Sequence, residues 1–358
     1  MSTKDFNKED RIFLQSQLLN CITMTRIAIN GFGRIGRTAF KAGFNKKEFE
    51  VVAVNDLTDT KTLAFLLKYD TAYRGWEKKI EVGMDYLIVA GKKLQVLSEK
   101  DPSQLPWKKL KIDVVLECTG FFTSEEGASK HIKAGAKAVI ISAPAKGGNV
   151  PTYVLGVNGK NYQSQHKIIN NASCTTNCIT PVAALMLEHF GVLKAAMTTI
   201  HAYTADQNLQ DGPHRDLRRA RSAPNNIVPT TTGAALATTE VIPELAGLFD
   251  GFSVRVPVIT GSLSDFTFVV KRKTTGEEVN AMFRKAAKQA LYKDILTVTD
   301  DPIVSSDIIG NPASAIVDLS LTKVIDGDLV KVICWYDNEW GYSHRLAEMA
   351  LEVGRKQR

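Results

Sequence analysis

The sequence predicts an α/β protein with two domains: a doubly wound parallel sheet domain, followed by an α+β domain whose sheet is mostly antiparallel. Its 358 residues are enough for two domains of ordinary size. In the first half, short apolar strands alternate with helical segments, which is the pattern of parallel strands joined by crossover helices. Beyond about residue 190 the strands are longer and alternate apolar with polar residues, as is typical of an antiparallel sheet with one exposed face.

Composition excludes several classes of protein. Hydrophobic residues make up 44% of the chain and charged residues 23%, which are values of a globular protein and not of a disordered one. No apolar run approaches the ~20 residues that cross a bilayer, so we expect no membrane partner. The net charge of +7 is dispersed apart from a basic cluster at residues 214–221, so nucleic acid is not expected as the main partner. A site for small anions accounts for the charge equally well.

Cysteine usage indicates a reducing compartment. The five cysteines form no Cys-x-x-Cys pair, so we expect neither a disulfide framework nor a metal site. We therefore expect a cytoplasmic protein, in which any special cysteine acts through its thiolate.

Residues 1–23 do not match a signal peptide. They carry three acids and three bases, and no continuous apolar core of 7–15 residues. We expect this leader to lie outside the fold; a short helix, a disordered segment and a start codon misassigned ahead of Met24 are the alternatives.

The first half begins with a strand at residues 26–30, a glycine-rich turn, a helix at 37–44 and a strand at 49–56. Further strands are predicted at residues 80–82, 86–89, 94–97, 112–117, 138–142 and 167–170, with a helix near 124–134. In the second half, strands are predicted at residues 196–203, 251–260, 264–273, 314–319 and 329–336, and helices near 180–190, 233–246, 277–292 and 343–357.

The turn after the first strand carries Gly31, Gly33 and Gly36 in the pattern Gly-x-Gly-x-x-Gly and opens a helix. Asp56 ends the next strand, 20 residues after Gly36. Glycines let a diphosphate approach the backbone, the helix N-terminus supplies free N–H donors, and the carboxylate can accept both ribose hydroxyls. The spacing predicts a Rossmann-type dinucleotide site that prefers NAD to NADP.

A hydroxyl-rich segment surrounds Cys174, directly after the strand at residues 167–170. If a helix begins here, its N-terminus lowers the pKa of the Cys174 thiol. Pro181 argues against a helix that starts this early, because proline removes a helical hydrogen bond. Cys178 lies one turn later and is expected to pack inward. For Cys174 the alternative is a buried, inert cysteine.

His201 closes a predicted strand, where side chains commonly face a site. The other histidines lie in more polar or helical segments and are expected to be solvated or structural. Cys174 and His201 together predict a thiolate assisted by a base.

Seven segments carry a resemblance to a known family. They are INGFGRIGR (29–37), VND (54–56), ASCTTN (172–177), HAYT (201–204), PTTTGAA (229–235), RVP (255–257) and WYDNEWGYS (335–343). From Thr25 onward the chain resembles the phosphorylating, glycolytic glyceraldehyde-3-phosphate dehydrogenases. The resemblance implies a dinucleotide-binding domain at 25–173, completed by a C-terminal helix at 343–358, and an α+β catalytic domain at 174–342.

The resemblance also implies a mechanism. Cys174 would attack the aldehyde carbon to give a thiohemiacetal, and His201 would take up the proton as hydride leaves for NAD. Inorganic phosphate would then cleave the thioester, turning D-glyceraldehyde 3-phosphate into 1,3-bisphosphoglycerate. The Cys174 N–H and His201 would hold the oxyanion.

Binding residues follow from the same resemblance. The substrate's phosphate would be bound by Thr204 and Arg255. The attacking phosphate would be bound by Ser173, Thr175, Arg219, Thr232 and Gly233. The cofactor residues would be Gly31, Gly33, Arg34, Ile35, Gly36, Asp56, Lys100, Ser142 and Asn338. Residues 204–226 would line the cofactor pocket of a neighbouring subunit, which implies a homotetramer.

The chain departs from the family pattern at Lys100, where many relatives have arginine, at Gly212-Pro213, where strictly NAD-using members often have Leu-Pro, and in its leader. Two other functions stay open from sequence. One is an erythrose-4-phosphate dehydrogenase, which ends with water in place of phosphate; the other is a binding role for nucleic acid or host surfaces.

Overall fold

The computed structural model describes residues 24–357, so the prediction for the leader lies outside the described residues. The first half of the chain forms ten strands. They are β1 (Thr25–Asn30), β2 (Phe49–Asn55), β3 (Tyr69–Asp70), β4 (Arg74–Gly75), β5 (Ile80–Val82), β6 (Tyr86–Val89), β7 (Lys92–Leu97), β8 (Val114–Glu117), β9 (Ala138–Ile141) and β10 (Ile168–Asn170).

Eight of these strands form one sheet in the order β10-β9-β8-β1-β2-β7-β6-β5. The six from β10 to β7 are parallel, and β6 and β5 continue the edge in antiparallel pairing. The chain leaves β1 toward β2 and returns on the other side of β1 with β8. Such a reversal opens a crevice at the carboxyl ends of the two strands, where doubly wound sheets bind ligands.

Four helices lie with the first sheet: α1 (Arg34–Gly43), α2 (Thr60–Lys68), α3 (Glu125–Lys133) and, from the end of the chain, α7 (Trp340–Lys356). Buried side chains of α7, among them Leu346 and Met349, share one apolar cluster with Ile29 of β1 and Phe40 of α1. The last helix therefore packs into the core of the first half.

The second half builds a second sheet. Its elements are α4 (Cys174–Phe190), β11 (Val192–Ala202), β12 (Val228–Thr230), α5 (Ala234–Val241), β13 (Phe249–Val256), β14 (Ser262–Val270), α6 (Gly276–Ala286), β15 (Leu296–Thr299), β16 (Ala315–Asp318), β17 (Lys323–Ile325) and β18 (Leu329–Tyr336). The strand order is β12-β13-β11-β14-β18-β16-β15, with β17 paired to β18.

This sheet is mostly antiparallel; β11 pairs with β13 and β15 with β16 in parallel. Buried residues of α4 pack with Phe266 and Phe268 of β14 in a second apolar cluster. The predicted fold class, a Rossmann-type parallel sheet followed by an α+β unit, is confirmed.

Several predicted elements differ from the structure. Helix α2 and strands β12, β15 and β17 were absent from the prediction, and the predicted helix at 277–292 ends at Ala286. The helix expected near 180–190 begins at Cys174 and runs through Pro181, so the objection from Pro181 is wrong. Most of the α4 side chains are buried, and this packing outweighs the one hydrogen bond that proline removes.

Candidate active site

Cys174 is the first residue of α4, and the preceding serine caps the helix. Ser173 Oγ accepts the backbone N–H of Thr176 at 3.0 Å, the usual arrangement for a serine N-cap. The next side chain is anchored from the second sheet, because Thr175 Oγ1 lies 2.9 Å from the hydroxyl of Tyr336. The thiol is therefore held at a helix N-terminus with hydroxyl groups beside it.

His201, near the end of β11, faces this thiol. Its Nε2 lies 3.4 Å from Cys174 Sγ, and its ring is 3% exposed. Its Nδ1 lies 2.6 Å from the carbonyl oxygen of Ala202, which can only accept, so Nδ1 carries the proton and donates it. The lone pair on Nε2 is then turned to the Cys174 thiol, as a general base requires.

Burial governs the pKa values of this pair. Desolvation, together with the charge of Arg255, lowers the pKa of His201 to about 3. Burial raises the pKa of the Cys174 thiol above its ordinary value of 9, although the Arg255 charge and hydrogen bonds from Thr175 oppose the shift. At neutral pH the pair is a thiol and a neutral imidazole. The pKa of the Cys174 thiol is thus raised and not lowered as expected, because desolvation outweighs the Arg255 charge and the Thr175 hydrogen bonds.

Arg255 connects the histidine to the residues predicted for the substrate's phosphate. Its Nη1 lies 3.0 Å from His201 Nδ1, donates to the Ala202 carbonyl at 3.2 Å, and reaches Thr204 Oγ1 at 3.4 Å. Its Nε is buried without a hydrogen-bond partner. Arg255 and Thr204 are thus together, with a cationic group beside the thiol.

Arg219 lies in the loop after β11. It donates to Thr230 Oγ1 at 2.9 Å and to the Thr231 carbonyl at 3.1 Å, and it forms ion pairs with Asp206 and Asp216. Its charge, like that of Arg255, lowers the pKa of His201, so both cations act on the same imidazole.

The remaining residues predicted for the attacking phosphate lie at the N-terminus of α5. Thr232 Oγ1 accepts the Ala234 N–H at 3.2 Å, and Gly233 is the N-cap of the helix. A Cβ on Gly233 would meet no atom within 4 Å, so its backbone is open to a ligand.

The predicted dinucleotide crevice is present at the carboxyl ends of β1 and β8. A cavity of about 580 Å³ is lined by residues that include Gly31, Gly33, Asp56 and Lys100. Gly31 has φ +89°, and a Cβ there would lie 2.7 Å from the Thr119 nitrogen. At Gly33 a Cβ would point into open space, which leaves the backbone accessible to a diphosphate.

Asp56 is held at the end of β2. One carboxylate oxygen accepts the Phe32 N–H at 2.8 Å and the other accepts the Thr58 N–H at 3.0 Å, which leaves further lone pairs for ribose hydroxyls. The open backbone, the helix N-terminus and this carboxylate fit NAD.

The other predicted cofactor residues are not among those that line this cavity: Arg34, Ile35, Gly36, Ser142 and Asn338. Ile35 follows Arg34 at the start of α1, and Ser142 directly follows β9. Asn338 lies between β18 and α7 and is almost fully buried. Arg34 differs from the rest, because its guanidinium is paired with two carboxylates, Asp70 and Glu339.

Sequence reasoning missed two of the residues that shape the site. The hydroxyl of Tyr336 joins Thr175 to Thr199 at 2.9 and 2.8 Å, and its ring lies 5.9 Å from that of His201. Glu339 holds Arg34. Both residues occur in the segment at residues 335–343. The sequence of this segment indicates the family resemblance, but it does not indicate which side chains Tyr336 and Glu339 contact.

The fold and site define a class: NAD-dependent dehydrogenases with a Rossmann-type parallel sheet, an α+β unit and a cysteine beside a histidine. Family models agree, because the NAD binding domain of glyceraldehyde 3-phosphate dehydrogenase matches residues 25–125 and the C-terminal domain of the same enzyme matches residues 173–338. The chain belongs to the glyceraldehyde-3-phosphate dehydrogenase family.

Curated relatives cover nearly the whole chain. Glyceraldehyde-3-phosphate dehydrogenase 2 of Streptomyces avermitilis is 52% identical over 333 residues, which is 92% of this chain and 99% of the relative. The enzyme of Geobacillus stearothermophilus is 48% identical over 92% of this chain and 98% of its own length. That of Mycolicibacterium smegmatis is 51% identical over the same shares. Within residues 24–357, no helix is long and apolar enough to cross a membrane.

Proposed function

We propose that the protein oxidises D-glyceraldehyde 3-phosphate, with NAD and inorganic phosphate, to 1,3-bisphosphoglycerate, and that it does so in glycolysis. The observation that carries the proposal is the 3.4 Å approach of His201 Nε2 to Cys174 Sγ, with a neutral imidazole in the tautomer of a base. Family membership supports the same reaction.

In the first step His201 Nε2 takes the thiol proton while Cys174 Sγ bonds to the aldehyde carbon. The carbonyl oxygen then receives that proton, which gives a thiohemiacetal. The N–H of Cys174 at the start of α4 and His201 Nε2–H would donate to the developing oxyanion. Because His201 is buried and Cys174 is partly buried, these hydrogen bonds act in a medium of lower dielectric constant than water.

In the second step His201 Nε2 accepts the hydroxyl proton of the thiohemiacetal as it becomes a thioester. NAD bound in the crevice would supply the acceptor for the hydride that leaves the same carbon. Phosphate then attacks the thioester carbon, the C–S bond breaks, and Cys174 leaves as a thiolate that regains a proton.

Two tetrahedral anions must be bound next to Cys174. We assign the substrate's phosphate to Arg255 and Thr204, which already contact each other. The attacking phosphate is assigned to three groups: Ser173 and Thr175 at the start of α4, Arg219, and Thr232 with Gly233 at the start of α5. Guanidinium groups and helix N-termini suit anions of this geometry.

For the cofactor, Gly33 would let the diphosphate approach the backbone, with the N–H groups of Arg34 and Ile35 as donors. Gly31 and Gly36 would permit the close backbone packing of the turn, since a Cβ on Gly36 would clash with the Gly31 carbonyl oxygen. Asp56 would accept the adenosine ribose. Lys100 would contact the adenine and Asn338 the nicotinamide, and Ser142 would also contact the cofactor.

The domain division and the assembly belong to the proposal. The two apolar clusters support a cofactor domain at 25–173 with the helix at 343–358 and a catalytic domain at 174–342, with Val154 and Ala172 packing across the boundary into the second cluster. We also propose a cytoplasmic homotetramer, since the loop at 204–226 exposes Leu209 and Leu217 at 69% and 81%, as a surface that a second copy covers would.

Formation of NADH from D-glyceraldehyde 3-phosphate, measured with and without inorganic phosphate, tests this function. We expect turnover only with phosphate. Phosphate-independent turnover, with erythrose 4-phosphate as the better substrate, would replace the proposal with the water-terminated reaction. No NADH from either aldehyde would leave a binding role, which salt-dependent binding of nucleic acid at saturating NAD would reveal.

A further inference from the structure

Asn338 lies on the connection between the two halves of the molecule. Strand β18 of the second sheet ends at Tyr336, and α7, which packs into the first half, begins at Trp340. The three residues between them, Asp337, Asn338 and Glu339, are bonded from both sides.

The second half holds the amide oxygen of Asn338. Its Oδ1 accepts the Gly261 N–H at 3.1 Å, the Ser262 hydroxyl at 2.9 Å and the Thr260 hydroxyl at 3.3 Å. With donors on Oδ1, the amide N–H groups of Asn338 are left to bind a ligand carbonyl.

The first half holds the neighbours of Asn338. Arg34 Nε donates to Glu339 Oε1 at 3.0 Å, and Arg34 Nη2 also donates to this carboxylate. The Tyr73 hydroxyl donates to Asp337 Oδ1 at 2.8 Å. Both contacts join residues more than 260 positions apart in the chain.

Because it is paired with Glu339, the Arg34 guanidinium is not available to bind the diphosphate. Arg34 follows Gly33 at the start of α1, where a guanidinium would be expected to bind the cofactor's diphosphate. Its Nε and Nη2 are bonded to Glu339, and its Nη1 donates at 2.6 Å to Asp70, whose side chain is 3% exposed. No nitrogen of this guanidinium is left without a carboxylate.

We infer that Arg34 is a positioning residue for the nicotinamide end of NAD: it holds Glu339 and thereby Asn338, and its side chain does not bind the diphosphate. The inference rests on the proposed function, which places the nicotinamide at Asn338. Its consequence is that loss of the Arg34–Glu339 pair weakens only ligands that carry a nicotinamide.

Binding of NAD and of ADP-ribose, which lacks the nicotinamide, separates the two roles. Dissociation constants are measured by calorimetry for the unmodified protein, Arg34→Gln and Glu339→Gln. In both variants we expect NAD to bind about tenfold more weakly, and ADP-ribose to bind within twofold of the unmodified protein. The double variant should lose no more than Arg34→Gln alone, because Arg34→Gln already removes the contact that Glu339→Gln removes.

Arg284→Gln is the matched control, since it breaks an exposed arginine–carboxylate pair, with Asp300, away from the crevice. It should leave both ligands unchanged. If Arg34→Gln does not fold, Glu339→Gln carries the test, since it keeps the size of the side chain.

Equal losses of NAD and ADP-ribose in Arg34→Gln would show that the guanidinium binds the diphosphate and would overturn the inference. An NAD affinity that is unchanged in both Arg34→Gln and Glu339→Gln would also overturn the inference. Failure of the unmodified protein to bind either ligand would instead refute the proposed function.

Discussion

At the residue scale, burial sets the protonation of the two reacting side chains. The pKa of His201 falls to about 3 and that of Cys174 rises, because each loses hydration of its charged form. The imidazole is therefore a free base at neutral pH, and the thiol becomes a nucleophile as it transfers its proton.

Cys174→Ser should abolish turnover while NAD binding and the fold are retained. A hydroxyl is far less acidic than a thiol and gives up its proton to His201 much less readily. Steady-state rates and NAD titration measure the two effects. Cys178→Ala is the control, since Cys178 is fully buried one turn later. If Cys178→Ala alone abolished turnover, the assignment of Cys174 as the nucleophile would be wrong.

His201→Asn should lower turnover by roughly 10²–10⁴-fold, the usual loss when a positioned general base is removed. Labelling of Cys174 by iodoacetamide at neutral pH should also slow, since the proton acceptor at 3.4 Å is gone. His166→Asn is a control away from the thiol, because His166 contacts Tyr153. Unchanged turnover together with unchanged labelling would remove His201 from the site.

Alkylation of Cys174 in the cofactor-free protein should rise steadily with pH and continue to rise above pH 9. The raised pKa of the thiol keeps it protonated at neutral pH, and His201, with its pKa of about 3, carries no charge there to stabilise a thiolate. Rates of iodoacetamide incorporation between pH 5 and pH 10 give the profile. A plateau that begins below pH 7 would show a preformed thiolate–imidazolium pair and contradict the pKa shifts.

At the element scale, the ends of strands and the beginnings of helices bring the site together. Asp56 follows β2, Cys174 begins α4, and His201 lies near the end of β11, so each is presented from a rigid element. Asp59, which lies close to Asp56 in the chain, stabilises a helix and is not a site residue. Its carboxylate caps α2 by accepting the Thr62 N–H at 3.0 Å.

NAD should be preferred to NADP by roughly tenfold to a hundredfold in kcat/KM. The 2′-phosphate of NADP would lie about 4–5 Å from the Asp56 carboxylate, and like charges repel at this distance. Residues 57–60 contain no lysine or arginine to neutralise it. Asp56→Ala should reduce the difference in kcat/KM between NAD and NADP. Equal use of both cofactors by the unmodified protein would show that another segment, such as Gly212-Pro213, determines the choice.

Local patterns predicted the elements that depend on neighbours in the chain. The strand, the three glycines and Asp56 lie within 31 residues, and the structure contains the crevice that they imply. The start of α4 was placed too late, because the local rule for Pro181 does not include the core on which the helix packs. The pairing of Arg34 with Glu339 spans 305 positions and leaves no local pattern.

At the scale of the whole molecule, the exposed loop at 204–226 predicts assembly. Light scattering after size exclusion should give four times the 39.3 kDa of one chain. Leu217→Glu should lower that mass, because it places a charge on the surface that we expect to be covered. Met84→Glu, on an even more exposed residue of the first half, is the control; dissociation in both variants or in neither would contradict the proposed interface.

The packing of α7 against α1 and β1 also constrains how the protein can mature on the ribosome. About 170 residues separate the end of β10 from the start of α7. Translation of that interval takes roughly 10–30 s at ~5–20 residues per second. Throughout this time the nascent first half has the surfaces around Ile29 and Phe40 uncovered. The part translated first therefore completes its fold last and has the longest opportunity to recruit chaperones.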